Sequence, residues 1–240
     1  MFNLLKADFY KLRKSKALLF TALACVALGM IHILIPDAPG DMLGVDSGVG
    51  ALEMLYTNFH IQIFVAFIVI FITAEFHLGT IKNTISRGTG RTQIYLSKFL
   101  VCSIATIALL LIYAVIHVML GTIRWEFNPN NLITISEGIR FIALHALFII
   151  AYTAFFMFIA ITFRNLAGAL VSSYFYLIVI MIIIPADANL VRYELDWNVR
   201  NFGLFEPTYS DLWHGIIVAL AWMIIPLIAG LVVFKKQDIK

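Results

Sequence analysis

The side chains best equipped for chemistry are six histidines, one carboxylate at the end of an apolar run, and the basic residues that follow it. His32, His60, His77, His117, His145 and His214 are scattered along the chain. No HExxH or similar spacing sets two imidazoles on one helix face, as a zinc hydrolase requires. There is no GxSxG, and no apolar run carries an aspartate pair for intramembrane hydrolysis. "GTGRTQ" at 88–93 lacks both the spacing and the lysine of GxxxxGK[ST], so the chain has no P-loop with which to hydrolyse ATP itself. Cys25 and Cys102 fall within apolar runs and read as small packing residues rather than a disulfide or metal pair. Glu75 differs from all of these. It closes an apolar run and is followed by Lys82, Arg87, Arg91 and Lys98. A charge at that depth needs a partner, and Lys82 or Arg91 is the expected one.

The elements that position these groups follow from composition. Hydrophobic residues make up 62% of the 240, and charged residues only 13%; soluble domains hold about 45–50% and about 25%. A spanning helix needs about 20 mostly apolar residues, and six runs qualify: 17–35, 59–76, 96–123, 141–163, 166–185 and 213–234. None shows the alternation of a transmembrane barrel. The expected fold is therefore all-α: one polytopic membrane domain, 1–240, with six transmembrane helices. With the N-terminus inside, Lys6, Lys11, Arg13, Lys14, Lys16, Lys82, Arg87, Arg91, Lys98, Arg164, Lys235, Lys236 and Lys240 fall on one side, and only Arg124, Arg140, Arg192 and Arg200 on the other. That is a strong positive-inside bias, and it places both termini in the cytoplasm. The first apolar run has no A-x-A-type cleavage site near its end and reads as a span rather than a leader.

Residues 1–16 set Phe2, Leu5, Phe9 and Leu12 at steps of three and four, one apolar stripe on a helix lying in the headgroup plane. A lipid anchor and a partner-docking helix both fit that pattern. The loop 36–58 carries four acids and no base and reads as solvated. "NPNN" at 128–131 is a turn signal. The segment 186–212 mixes aromatic and charged residues, as interfacial or re-entrant helices do. Gly168 and Ser172 form a small-xxx-small step suited to close helix packing. Phe64, Phe67 and Phe71 share one face of the second span, either as packing or, with Tyr174, as an apolar wall along a substrate path. Among polar groups inside the spans, His117 and His145 keep an ion-coupled mechanism in play.

The stretch "AEFHLGTIKNTISRGTGRTQIYLSKFL" at 74–100 is more ordered than a loop needs. Gly79 permits a turn after the second span. Ile81 and Ile85 share one face of a short helix as an apolar tip, with Lys82 and Asn83 beside them. Gly88 and Gly90 stop it, and Thr92 can cap the next helix. The order is span, turn, short crosswise helix, turn, span.

This stretch resembles the cytoplasmic segment of type-two permease subunits of ATP-binding-cassette transporters. Those read E-[FY]-x-x-G-T-[IL]-[KR]-x, then S-x-G-x-x-R-x-x-[IVL]-Y-x-[SG]-K. Glu75, Phe76, Gly79, Thr80, Ile81, Lys82, Ser86, Gly88, Arg91, Tyr95 and Lys98 match. The basic lead-in and the six spans fit over the whole chain. The resemblance implies a type V exporter with no catalytic residue of its own. Residues 80–87 would be a coupling helix. Thr80, Ile81, Lys82, Asn83, Thr84, Ile85 and Arg87 would bind a separate P-loop ATPase, with Phe9 and Arg13 beside them. Glu75, Gly79, Gly88 and Arg91 would be structural or coupling residues. Two ATPase copies, holding ATP and Mg, would serve two permease copies, expected as a homodimer in a bacterial cytoplasmic membrane. The cargo would be a hydrophobic or amphipathic peptide or antibiotic, moved by alternating access. This chain itself would hold no cofactor, metal or nucleic acid. An ion-coupled secondary transporter is the alternative.

Overall fold

The computed structural model describes residues 2–34, 51–52, 59–125, 135–183, 192–195, 198 and 209–237. The acidic loop at 36–58 apart from 51–52, the turn at 128–131 and most of the segment 186–212 lie outside the described residues. The described residues form eight helices: α1 (Phe2–Lys14), α2 (Lys16–Leu34), α3 (Phe59–His77), α4 (Thr80–Ser86), α5 (Arg91–Trp125), α6 (Ile135–Phe163), α7 (Leu166–Ile183) and α8 (Tyr209–Lys236). Five stretches are long and apolar enough to cross a membrane: Lys16–Ile33, His60–His77, Arg91–Trp125, Arg140–Phe163 and Leu212–Lys236. In α7 the apolar stretch is the shorter Leu166–Ile180. Leu19, Phe20, Val171, Phe175, Ile217 and Ile225 are all well exposed on the outer faces of their helices. Water would penalise so much exposed apolar surface, whereas lipid does not. The chain is a helical, multi-pass membrane protein.

The helices begin and end where local chemistry allows. Ser15 alone separates α1 from α2, and its N–H bonds to the Leu12 carbonyl at 3.0 Å. Gly79, at φ 65°, takes the chain from α3 into α4, and Gly88, at φ 83°, takes it out. Both sit in the left-handed region that favours glycine. Asn165 caps α7: its Oδ1 accepts the Gly168 N–H at 2.6 Å, and its Nδ2 donates to the Phe163 carbonyl at 2.9 Å. Gly168 thus closes against Asn165 and Phe163; it serves this hairpin rather than the interhelical small-xxx-small contact expected of it. At 35 residues, α5 is about 53 Å long, well beyond the roughly 30 Å hydrocarbon core. Its surplus length lets Arg91 to Lys98 make the contacts that join the helices at one end of the bundle.

Contacts bring six helix ends together. Lys98 near the start of α5 meets Asp8 of α1 and Glu75 near the end of α3. Arg91 of α5 reaches the last carbonyls of α8. Gln237, just after α8, donates to the Ile161 carbonyl near the end of α6 at 3.1 Å. One end of the bundle therefore holds α1, the starts of α2, α5 and α7, and the ends of α3, α6 and α8. At the other end Arg124 donates to the Ile33 carbonyl and ties α5 to α2.

In lipid, helices associate through close packing rather than apolar burial. A Cβ on Gly29 would lie 2.7 Å from Ile116 Cγ2, so this glycine sets the α2–α5 approach. Gly29→Val is expected to destabilise the chain by about 1–3 kcal/mol, read by denaturant titration in detergent. Ile116→Ala in the same chain should restore part of the loss.

Candidate functional site

Four charges meet at the end of the bundle where α1, α3, α4 and α5 converge. Asp8 Oδ1 lies 2.6 Å from Lys98 Nζ, and Asp8 Oδ2 accepts the Ser97 hydroxyl at 2.7 Å. Lys98 Nζ also lies 3.0 Å from Glu75 Oε1. Lys11 Nζ bridges both oxygens of Glu75, at 3.0 and 3.1 Å. Thr80 Oγ1 donates to Glu75 Oε2 at 2.5 Å and lies 3.1 Å from the Glu75 carbonyl oxygen. Asp8, Lys98 and Glu75 are 1%, 4% and 7% exposed. Buried charges persist only when paired and hydrogen-bonded, and here two carboxylates balance two ammoniums.

Glu75 therefore pairs with Lys11 and Lys98, not with Lys82 or Arg91. The physical reason is reach: Lys98 stands one and a half to two helical turns into α5, level with the carboxylate, while Arg91 sits at the mouth. Arg91 Nη1 instead donates to the carbonyls of Phe234, Lys235 and Gln237 at 3.3, 2.7 and 2.6 Å. A cation at a helix C-terminus satisfies orphan carbonyls and the negative end of the dipole. Arg91→Ala is expected to raise amide exchange over 233–237 by about fivefold to tenfold, in line with a local loss of about 1 kcal/mol.

The network also turns α1. Leu12 and Asp8 face inward, with Leu4 and Leu5 partly covered, whereas Phe9 and Arg13 are exposed. The expected Phe2–Leu5–Phe9–Leu12 stripe is thus displaced at Phe9, because seating Asp8 against Lys98 and Ser97 decides the rotation. The Phe2 side chain lies outside the described residues.

The short helix runs Thr80–Ser86, with Arg87 as its C-cap rather than its last turn. Ile81 is 4% exposed and belongs to the core, and Ile85 packs against that core. The pair is not an outward apolar tip; it anchors α4 to the bundle. Thr80 is spent on Glu75, and Thr84 Oγ1 donates back to the Thr80 carbonyl at 2.8 Å. What α4 presents outward is Lys82, Asn83 and Ser86, with Arg87 following. These positions share one helical face.

Phe64, Phe67 and Phe71 are buried in the chain's own core, with Phe67 and Phe71 stacked at 5.9 Å. They pack the bundle's core among the described residues. Tyr174 is half-buried and donates to the Gln62 carbonyl at 2.8 Å, joining α7 to α3.

Folding assembles one group that linear spacing concealed. His32 Nδ1 lies 3.4 Å from His117 Nε2 and 3.3 Å from the Tyr113 hydroxyl. The His60 ring sits 5.0 Å from that of Tyr113, and both its nitrogens are buried without a hydrogen-bond partner among the described residues. His32, His60 and His117 come from three helices, so no motif could have announced them. No group of three or more His, Cys, Asp or Glu among the described residues is placed to hold a metal ion.

The described part of the segment 186–212 folds back against the middles of α7 and α8. Tyr176 donates to Glu194 Oε1 at 3.3 Å, and Trp222 Nε1 to the Tyr193 carbonyl at 2.9 Å.

A family model described as a protein of unknown function (DUF2705) matches residues 38–240. No curated protein matches the sequence.

Proposed function

The chain belongs to the DUF2705 family of proteins of unknown function, and we propose that it is the transmembrane subunit of an ATP-driven exporter, powered by a separate P-loop ATPase. The observation that carries the reading is α4. A seven-residue helix between two long apolar helices is braced inward by Ile81, Thr80 and Glu75, and turns Asn83, Ser86 and Arg87 outward. A connecting loop needs no such brace, whereas a lever does. Through Lys11 and Lys98, Glu75 joins that lever to α1 and α5, so a push on α4 is delivered to three other helices. In this reading six helices span the membrane, and the basic end carrying both termini faces the cytoplasm. The nucleotide chemistry belongs to the ATPase partner. The permease works as a dimer and moves a hydrophobic or amphipathic substrate, of which peptides are the favoured class. It sits in a bacterial cytoplasmic membrane.

The test is purification of the chain from its own membranes in mild detergent. A P-loop ATPase in about equal amount is the expected companion; a chain that purifies alone at full yield with its fold intact contradicts the reading. The histidine group favours one second reading, an ion-coupled carrier, because imidazoles in apolar surroundings commonly serve proton relays. That carrier would work without an ATPase and would lose transport in His32→Asn and His117→Asn.

A further inference from the structure

The inward face of α1 is spent within the bundle. Asp8 holds Lys98 and Ser97, Lys11 holds Glu75, and Leu12 is buried in the core. The opposite face carries Lys6, Phe9, Tyr10, Arg13 and Lys14, all exposed. Steps of three and four set both rings one turn after Lys6 and one turn before Arg13, with Lys14 one turn beyond Tyr10. Each ring therefore lies between cations. Asp8 is the only acid in residues 1–16, and it is turned inward. Lys6, Arg13 and Lys14 form no ion pair among the described residues.

Two tethers fix the depth of α1. At its end, Ser15 alone separates it from α2, where the apolar stretch Lys16–Ile33 begins. Nearer its middle, Lys11 holds Glu75 close to the end of the apolar stretch His60–His77. The helix thus lies where apolar helices start and stop, which is the level of lipid headgroups. Beyond Ser15 the exposed surface continues along α2 as Leu19, Leu23, Val26 and Met30. Their steps of three and four make one stripe, facing hydrocarbon. The outer face of α1 leads directly into a lipid-facing surface.

We infer that the outer face of α1 binds anionic phospholipid, with phosphates held by Lys6, Arg13 and Lys14 and the rings of Phe9 and Tyr10 lying among the headgroups. The cations select negative charge, and aromatic rings favour the headgroup level over water. A zwitterionic lipid brings its own cation against the three. An acidic protein surface would match the charge but not the depth that the tethers set. Phe9 and Arg13, which the resemblance sets beside an ATPase, face lipid instead. The inference rests on α1 and the membrane setting, not on the transport reading, which Asn83 and Arg87 of α4 carry.

The full chain takes a fluorophore at Asn3→Cys, on the exposed side of α1; Cys25 and Cys102 are buried and stay unlabelled. It is reconstituted in phosphatidylcholine vesicles that contain quencher-bearing phosphatidylglycerol or quencher-bearing phosphatidylcholine. The preference for phosphatidylglycerol, read from the two quenching curves, is expected to be at least about fivefold, the contribution of one juxtamembrane cation. It should vanish in K6Q/R13Q/K14Q, and in the parent chain at about 1 M salt, where the Debye length is about 3 Å. F9S/Y10S should weaken quenching by both lipids. K235Q/K236Q removes two exposed cations from the same end and should leave the preference unchanged. Equal quenching by the two lipids in the parent chain overturns the inference. So does a preference that survives K6Q/R13Q/K14Q or high salt, undiminished quenching in F9S/Y10S, or an equal loss in K235Q/K236Q, the mark of a diffuse surface effect. Equal quenching together with loss of a co-purifying ATPase in K6Q/R13Q/K14Q would assign the face to a protein.

Discussion

Replacing Lys98 by Ala is expected to destabilise the detergent-solubilised chain by about 3–5 kcal/mol and to release α1 from the bundle. Lys98 is the hub of the ion network, 2.6 Å from Asp8 and 3.0 Å from Glu75. Its loss strands two buried carboxylates with Lys11, which is 3.9 Å from Asp8. Removing one partner of a buried pair is costly because the remaining charge has no water to return to. Asp8→Ala should cost less, about 3 kcal/mol, because Lys98 keeps Glu75. If the pair acts as a unit, Asp8→Ala with Lys98→Ala in one chain should cost less than the sum of the single changes. Denaturant titration in detergent measures all four chains, and protease sensitivity near Ser15 reports the release of α1. A Lys98→Ala chain within about 1 kcal/mol of the parent would contradict a buried network.

The second large effect concerns the proposed ATPase partner. Asn83→Glu with Arg87→Glu places two carboxylates on the outward face of α4 while leaving Ile81, Thr80 and Glu75 in place. The fold should be unchanged, because both side chains are exposed. Binding to the ATPase should fall at least about a hundredfold if these residues sit near the centre of the contact, where each mismatched charge costs about 2 kcal/mol or more. Co-purification and the ATP-hydrolysis rate of the complex both read the loss. Mutating the isoleucines instead would confound docking with folding, since Ile81 is a core residue.

Hydropathy alone located the apolar helices to within a few residues at most ends: 59–76 became Phe59–His77 and 213–234 lies within Tyr209–Lys236. The largest differences are α5, which starts at Arg91 rather than 96, and α6, which starts at Ile135 rather than 141. A hydropathy window stops at polar residues, but a helix does not. The breaks at Gly79 and Gly88 were legible because positive φ leaves glycine as the natural residue there. The ion network was not legible. Lys11 and Glu75 are 64 residues apart, and Asp8 and Lys98 are 90 apart, so nothing in local spacing pairs them. Periodicity also left open where α1 and α4 turn their apolar residues, for a common reason. An apolar stripe states which residues prefer to leave water, but not whether they leave it for lipid, a partner or the chain's own core. For Ile81 the answer is the core; for Phe9 it is not. The histidines followed the same logic, being remote in sequence and neighbours only through the packing of α2, α3 and α5.

In the proposed exporter, α4 receives force from a separate P-loop ATPase. The most direct measurement is ATP hydrolysis and vesicle transport by the chain co-purified with its P-loop ATPase, compared with the chain alone. Transport is expected only when both proteins and ATP are present, and it should be lost in Asn83→Glu/Arg87→Glu. Transport by the purified chain alone under a proton or sodium gradient, unaffected by ATP, would contradict it.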